Sequence, residues 1–208
     1  MRKFETVKTP EELHELQGTP GKVALNKVIH RIDEHASQFI AHSPFLLLST
    51  ANKNGICDCS PRGDAPGFVQ VLDPLHLLIP ERMGNKRMDS LKNILENPQA
   101  GLLFIIPGLE ETMRVNGTAS IVKDKDLMEM MEAKGHIPDL GIIIKVEECF
   151  IHCAKAFKRS HLWNKEKWPD TSSLPSPAKI MAAHAQIKDV DEKKVQSSFD
   201  ESYTKRLY

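Results

Sequence analysis

The residues best suited to chemistry lie close together in Pro80-Glu81-Arg82-Met83-Gly84-Asn85-Lys86-Arg87-Met88-Asp89-Ser90, where an apolar run ends and a helical period begins. Backbone N–H groups left free at a helix N-terminus, joined by the Arg and Lys side chains of this block and the Ser90 hydroxyl, make a cradle for a phosphate without any net charge on the protein. Taken alone, the same residues also describe a basic surface turn capped by Asp89 or Ser90. Other cations are placed to converge on the turn if a sheet closes: Arg114 in the middle of a strand, and Lys155, Lys158 and Arg159 directly after the last strand. Neither the dinucleotide-fold glycine fingerprint nor the P-loop is present, so a nucleotide would have to be held some other way.

Thiols offer a competing chemistry. Cys57-Asp58-Cys59 and Cys149-Phe150-Ile151-His152-Cys153 place soft ligands on two strands that could be neighbours. The spacing is not that of a zinc ribbon or finger, and cysteines two or four apart on a strand point the same way, as small core residues do. The expectation is therefore reduced core thiols, no disulfide and no metal.

These groups need a scaffold, and the pattern around them is mainly β. Thr9-Pro10-Glu11-Glu12 predicts a capped helix ending near Gly18, and a three- and four-residue apolar step predicts one long helix from Leu25 to Ile40. Phe45–Thr50 and Ile56–Ser60 read as a hairpin about Asn54-Gly55, and Gly67–Leu72 and Leu75–Pro80 as a second about Asp73-Pro74. Met88–Leu95 is a short helix stopped by Asn97-Pro98. Ala100–Ile106 and Thr112–Val122 are long strands, the latter with Met113, Val115, Gly117, Ala119 and Ile121 on the core face and Thr112, Arg114, Asn116 and Ser120 on the polar one. A helix over Asp124–Lys134 and a strand over Gly141–Cys153 follow. After a Pro/Ser-rich loop, Ser176-Pro177 opens a short helix toward His184, and residues 188–208 read as loosely held. Short strands joined mostly by hairpins favour an antiparallel barrel over a parallel sheet.

The size fits one domain: 208 residues with 28 Lys+Arg against 28 Asp+Glu and 40% hydrophobic residues bury a core without staples. That balance excludes a disordered chain and a nucleic-acid binder acting through net charge. The longest apolar stretch, Ala100 to Leu109, is far shorter than the roughly 20 residues of a membrane-spanning helix. The N-terminus lacks a secretory pattern, so the cytoplasm is the expected compartment.

The blocks F-L-L-L-S-T, S-P-R-G-D-A-P-G-F-V, L-L-I-P-E-R-M-G-N-K-R-M-D-S-L-K-N-I-L-E-N-P, G-L-L-F-I-I-P-G, T-M-R-V-N-G and H-C-A-K-A-F-K-R-S-H-L-W resemble, in this order, the FMN-binding split barrel of the pyridoxamine 5'-phosphate oxidase superfamily. The nearest likeness is to its bacterial branch of FMN-dependent enzymes with unassigned substrates. The resemblance spans roughly Phe39 to Trp163. It implies a mainly β (α+β) fold: an antiparallel split β-barrel with peripheral helices as one domain over 1–208, with a core of about 39–163, N-terminal helices within 9–42 and a helical, loose extension over 169–208. It further implies a homodimer of six-stranded barrels with FMN at the subunit interface. By residue, it places Arg82, Asn85, Lys86, Arg87 and Ser90 at the FMN phosphate. Gly67, Phe68 and Val69 would lie on the strand facing the isoalloxazine, with Arg62 and Asp64 just before it. Thr112 and Arg114 would cover the ring, and Lys155, Lys158 and Arg159 would reach the partner's flavin. The triplet Arg159-Ser160-His161 precedes Leu162-Trp163, a context unlike that of the Arg-x-His by which the oxidases hold vitamin B6. The implied activity is hydride transfer at flavin N5 with a small substrate or NAD(P)H, with no assigned catalytic side chain. The alternative is a flavin or haem carrier or sensor on the same barrel.

Overall fold

The computed structural model describes residues 2–208. Its centre is one seven-stranded antiparallel sheet in the order β2-β1-β5-β6-β7-β4-β3. The strands are β1 (Phe45–Ala51), β2 (Cys57–Gly63), β3 (Gln70–Asp73), β4 (His76–Pro80), β5 (Gln99–Ile105), β6 (Thr112–Val122) and β7 (Gly141–His152). Both expected hairpins form. In the first, Asn52 Oδ1 accepts the N–H groups of Asn54 and Ile56 while Gly55 takes a φ of +79°. In the second, Asp73 Oδ1 accepts the N–H of Leu75.

Alternate residues of each strand point inward. Leu46, Leu48, Leu77, Ile79, Leu102, Phe104, Val115, Ile142 and Ile144 are fully buried in one core. The helices close its ends: α3 (Glu34–His42) buries Ala36 and Ile40, and α4 (Asp89–Glu96) buries Ser90, Leu91 and Ile94. At the centre of the β6–β7 ladder the register shifts between Asn116 and Gly117. A Cβ at Gly117 would stand 2.0 Å from the carbonyl oxygen of Lys145, so only glycine lets the two backbones approach there.

The sheet order puts β2 and the β3–β4 pair at opposite ends, yet the C-terminal ends of β2 and β4 and the residues just beyond them meet. Arg62 pairs with Glu81, and Arg82 Nε donates to Asp64 Oδ2 at 2.7 Å. Two ion pairs thus clasp the barrel where no strand ladder joins it. The resemblance implied six strands; the short β3 makes seven.

Several expectations need correction. The helix expected from Leu25 to Ile40 is broken: α2 (Lys22–Asn26) and α3 flank an extended segment in which Ile29 forms a two-way backbone bridge with Cys149. Asp33 starts α3 by accepting the N–H of Ala36 at 2.8 Å, so a cap overrides a continuous apolar period. The helix after Asp124 is short, α5 (Lys125–Met130). Residues 188–208 are not loose but carry α8 (Glu192–Lys205), which packs on α7 (Pro177–Ala185) with Ala178 and Val195 buried. Cys57, Cys59 and Cys153 are exposed, and only Cys149 among the four is a core residue. The β2 cysteines face outward because Asp58 and Ser60 take the inward positions, and Cys153 lies past the end of β7.

Candidate functional site

The cradle begins where β4 delivers Glu81 and Arg82 and ends at the first turn of α4. Between them Lys86 and Met88 both take left-handed φ values, 60° and 57°, a conformation uncommon for residues with a Cβ and frequent at functional turns. Met88 stands at the N-cap without a side chain able to cap, so the first N–H groups of α4 remain free of side-chain acceptors. Asn85 Oδ1 braces the loop by accepting the N–H of Arg87 at 3.0 Å. Lys86 and Arg87 are exposed beside it, and Arg87 Nε donates to Asp89 at 2.7 Å; this carboxylate raises the guanidinium's pKa. Two exposed cations, an amide and uncapped helix N–H groups fit a phosphate dianion.

Ser90 does not fit that role as expected. It is buried, and its hydroxyl donates to Asp58 Oδ2 at 2.5 Å beside Ser60 Oγ at 3.1 Å. It locks α4 to β2 instead of facing solvent. Asp58 was missed by sequence reasoning; its signal was the alternation of Asp58 and Ser60 with the outward Cys57 and Cys59.

Arg82 is close to the cradle but engaged. Besides Asp64, it donates from Nη1 to the carbonyl of Met131 at 2.7 Å. Burial alone would raise the Asp64 carboxyl, but hydrogen bonds from Tyr208 and the Ala65 N–H, together with Arg82, outweigh it and hold the pKa below the usual value. Arg62 is held by Glu81, and its Nε is buried without a partner. Gly67, Phe68 and Val69 do not lie on a strand. Ala65-Pro66-Gly67-Phe68 is a turn closed by Phe68 N–H to Ala65 O at 3.1 Å, with Gly67 at a φ of +85°, and β3 starts only at Gln70. Proline followed by glycine at the two central positions is the sequence of a type II turn, which the apolar run concealed.

On the outer face of the sheet, directly paired residues form two rows across five strands: Pro61, Leu47, Leu103, Arg114, Phe150 and Cys59, Ser49, Gly101, Asn116, Glu148. Arg114 is exposed, donates to Asn116 Oδ1 at 3.1 Å and lies 5.8 Å from the centre of the Phe150 ring. Asn116 in turn donates to Glu148 at 2.7 Å. Arg114, Asn116 and Glu148 line an open cleft of about 750 Å³ with Ser49, Cys57 and His30. Thr112, expected on this polar face, is buried.

The late segment returns onto its own chain. After β7, α6 (Lys155–Ser160) is followed by Trp163, whose indole donates to Leu109 O at 2.9 Å, and Lys158 pairs with Glu110, which raises the ammonium's pKa. Lys155 and Arg159 make no ion pair among the described residues. Asn85, Lys86 and Arg87 thus share one loop and Arg82 at its start pairs with Asp64, whereas Arg114 belongs to the outer cleft and Lys158 to the turn between β5 and β6. No group of three or more His, Cys, Asp or Glu side chains among the described residues is arranged to hold a metal ion.

An antiparallel barrel clasped by ion pairs, with helices over its ends, defines an α+β split barrel. The pyridoxamine 5'-phosphate oxidase profile matches residues 32–153, more than half the chain, and the protein belongs to that family. Among solved structures, it is similar to HupZ of Group A Streptococcus (18% identity, TM-score 0.48, covering 58% of this chain and 93% of that one). It is also similar to an FMN-binding protein from Syntrophomonas wolfei (11%, 0.43, 56% and 82%) and to HutZ, a heme storage protein from Vibrio cholerae (15%, 0.42, 59% and 94%). No curated protein matches. No helix among the described residues is long and apolar enough to cross a membrane.

Proposed function

We propose that the protein is an FMN-binding oxidoreductase that works as a homodimer on a small substrate or NAD(P)H. The observation that carries the reading is the uncapped N-terminus of α4 flanked by Asn85, Lys86 and Arg87, a donor set suited to the terminal phosphate of a mononucleotide. Family membership supports the choice of a flavin. Bound FMN would supply two-electron chemistry at its N5. The chain's own share is binding and orientation: Lys86 and Arg87 neutralise the phosphate, and the Arg62–Glu81 and Asp64–Arg82 pairs fix the cradle against β2. The outer sheet face, where Phe45, Leu47, Leu103 and Ile105 are only partly buried, supports a second copy as the cover for a site one subunit leaves open.

The test is direct. The purified protein should be yellow, release FMN identified by mass spectrometry, and be bleached by NADH or NADPH under anaerobic conditions. Arg87→Ala should weaken FMN by about tenfold or more in a fluorescence titration. Purification with haem, or no chromophore after supplementation with FMN, would refute flavin binding, and bound FMN that no reductant reaches would mark a carrier.

A further inference from the structure

Residues 170–208 add a helical hairpin to the barrel. Among the described residues one hydrogen bond ties it there: the phenol of Tyr208 donates to Asp64 Oδ1 at 2.6 Å. The remaining hydrogen bonds of this segment stay within it, as in Ser176 to Glu192 and Lys194 to Asp189. The tie lands on the barrel's clasp. Asp64, its side chain only 5% exposed, accepts from Tyr208 and from the Ala65 N–H on one oxygen and from Arg82 on the other.

The Tyr208 ring also meets two cations, with its centre 6.0 Å from the guanidinium carbon of Arg82 and 4.7 Å from Nζ of Lys134. A guanidinium has five N–H groups. In Arg82, Nε serves Asp64 and Nη1 serves Met131 O, so N–H groups on Nη1 and Nη2 remain for a further acceptor. An anion reaching that edge need not displace a ring lying over the face. The Tyr208 hydroxyl also draws on the Asp64 carboxylate, which leaves Arg82 less completely neutralised.

The geometry points to Tyr208 as a positioning residue. It holds the Asp64–Arg82 pair and roofs the guanidinium, so that the free edge of Arg82 is ready for the phosphate of a phosphate-bearing ligand. This assignment deepens the FMN reading and rests on it for the identity of the ligand. A plug that competes with the ligand would instead occupy the hydrogen-bonding edge.

The experiment uses the full chain and compares wild type with Tyr208→Phe, Tyr208→Ala and Leu207→Ala, the last changing a side chain that is 58% exposed. Phenylglyoxal modification of Arg82, followed by mass spectrometry with and without inorganic phosphate, reports the site without any flavin. Phosphate should protect Arg82 in wild type and in Leu207→Ala. Tyr208→Phe, which keeps the ring and loses the hydroxyl, should weaken that protection by roughly three- to tenfold, and Tyr208→Ala more, with every variant still folded at the assay temperature by circular dichroism. FMN affinity should follow the same order. Equal protection in wild type and Tyr208→Ala, or absence of protection in wild type, would overturn the positioning role; stronger protection in Tyr208→Ala would show a plug. Phosphate protection that depends on Tyr208 in a chain that binds no FMN would refute the cofactor and leave the positioning role standing.

Discussion

The substitution Asp64→Asn tests whether the barrel is clasped by charge. The carboxylate receives three donors at 2.6–2.7 Å and is almost wholly buried, while Arg82 is 19% exposed. The amide would keep one acceptor and present an N–H₂ to a guanidinium, leaving Arg82 charged and short of solvent. Removing one partner of a fully buried pair costs about 3–5 kcal/mol. Partial exposure of Arg82 and the acceptor that survives reduce this to about 2–3 kcal/mol. For a chain of this length that corresponds to a melting temperature lower by about 5–10 °C at pH 7. The pH dependence gives the sign. Because the folded-state pKa of Asp64 is lowered, its stabilising contribution is complete above the unfolded carboxyl value of about 3.9 and is lost as pH falls through the folded value. The gap between wild type and variant should therefore be constant near neutrality and close in the acid limb. Calorimetric melts from about pH 7 down to about pH 2.5 span both carboxyl values and measure it. A loss below about 1 °C at pH 7, or a gap that persists unchanged into acid, would refute the clasp.

Gly117→Ala should lower stability by about 3 kcal/mol in urea denaturation, because its Cβ meets backbone, whereas Gly101→Ala, whose nearest neighbour at 3.3 Å is the Asn116 side chain, should cost less than about 1 kcal/mol. Ellman's reagent at about pH 8 should label Cys57, Cys59 and Cys153 and spare Cys149 until the protein unfolds, since burial and the nearby Asp33 push that thiol up to about 11; rapid labelling of all four would contradict the core position of Cys149. Leu47→Asp, placed between Pro61 and Leu103 on the outer face, should give a monomer by sedimentation with unchanged far-UV circular dichroism, and an intact dimer would exclude this face as the interface.

Much of the barrel was legible because its signals are local. Asn54-Gly55 and Asp73-Pro74 each specify a turn within a few residues, and the alternation along β6 follows from one face being buried. What escaped depends on distant partners. The break between α2 and α3 comes from Ile29 bridging Cys149, and only the Asp33 cap betrayed it locally. The helix α8 carries only a narrow apolar stripe, Val195, Phe199 and Tyr203, in an otherwise polar segment, and reads as loose chain until α7 covers Val195. The basic run after β4 was visible in the sequence, but the Arg62–Glu81 and Arg82–Asp64 pairs and the Ser90–Asp58 hydrogen bond were not, since a contact across a closing barrel has no fixed spacing in sequence. Tyr208 carried no motif at all.

The order of the strands also constrains how the chain acquires its shape during synthesis. The hairpins β1–β2 and β3–β4 can form as soon as they emerge, and β5 and β6 then extend the first of them. The second must wait, because β4 pairs with β7: Leu77 meets Ile144 and Ile79 meets Ile142 only after the chain has been made past Gly141. Until then Leu77 and Ile79, later sealed in the core, sit beside an open edge, the condition in which nascent chains aggregate or recruit a chaperone. A ribosome stalled before β7 should therefore hold a half-built sheet, and arrival of that one strand should convert it to protease-resistant form in a single late step.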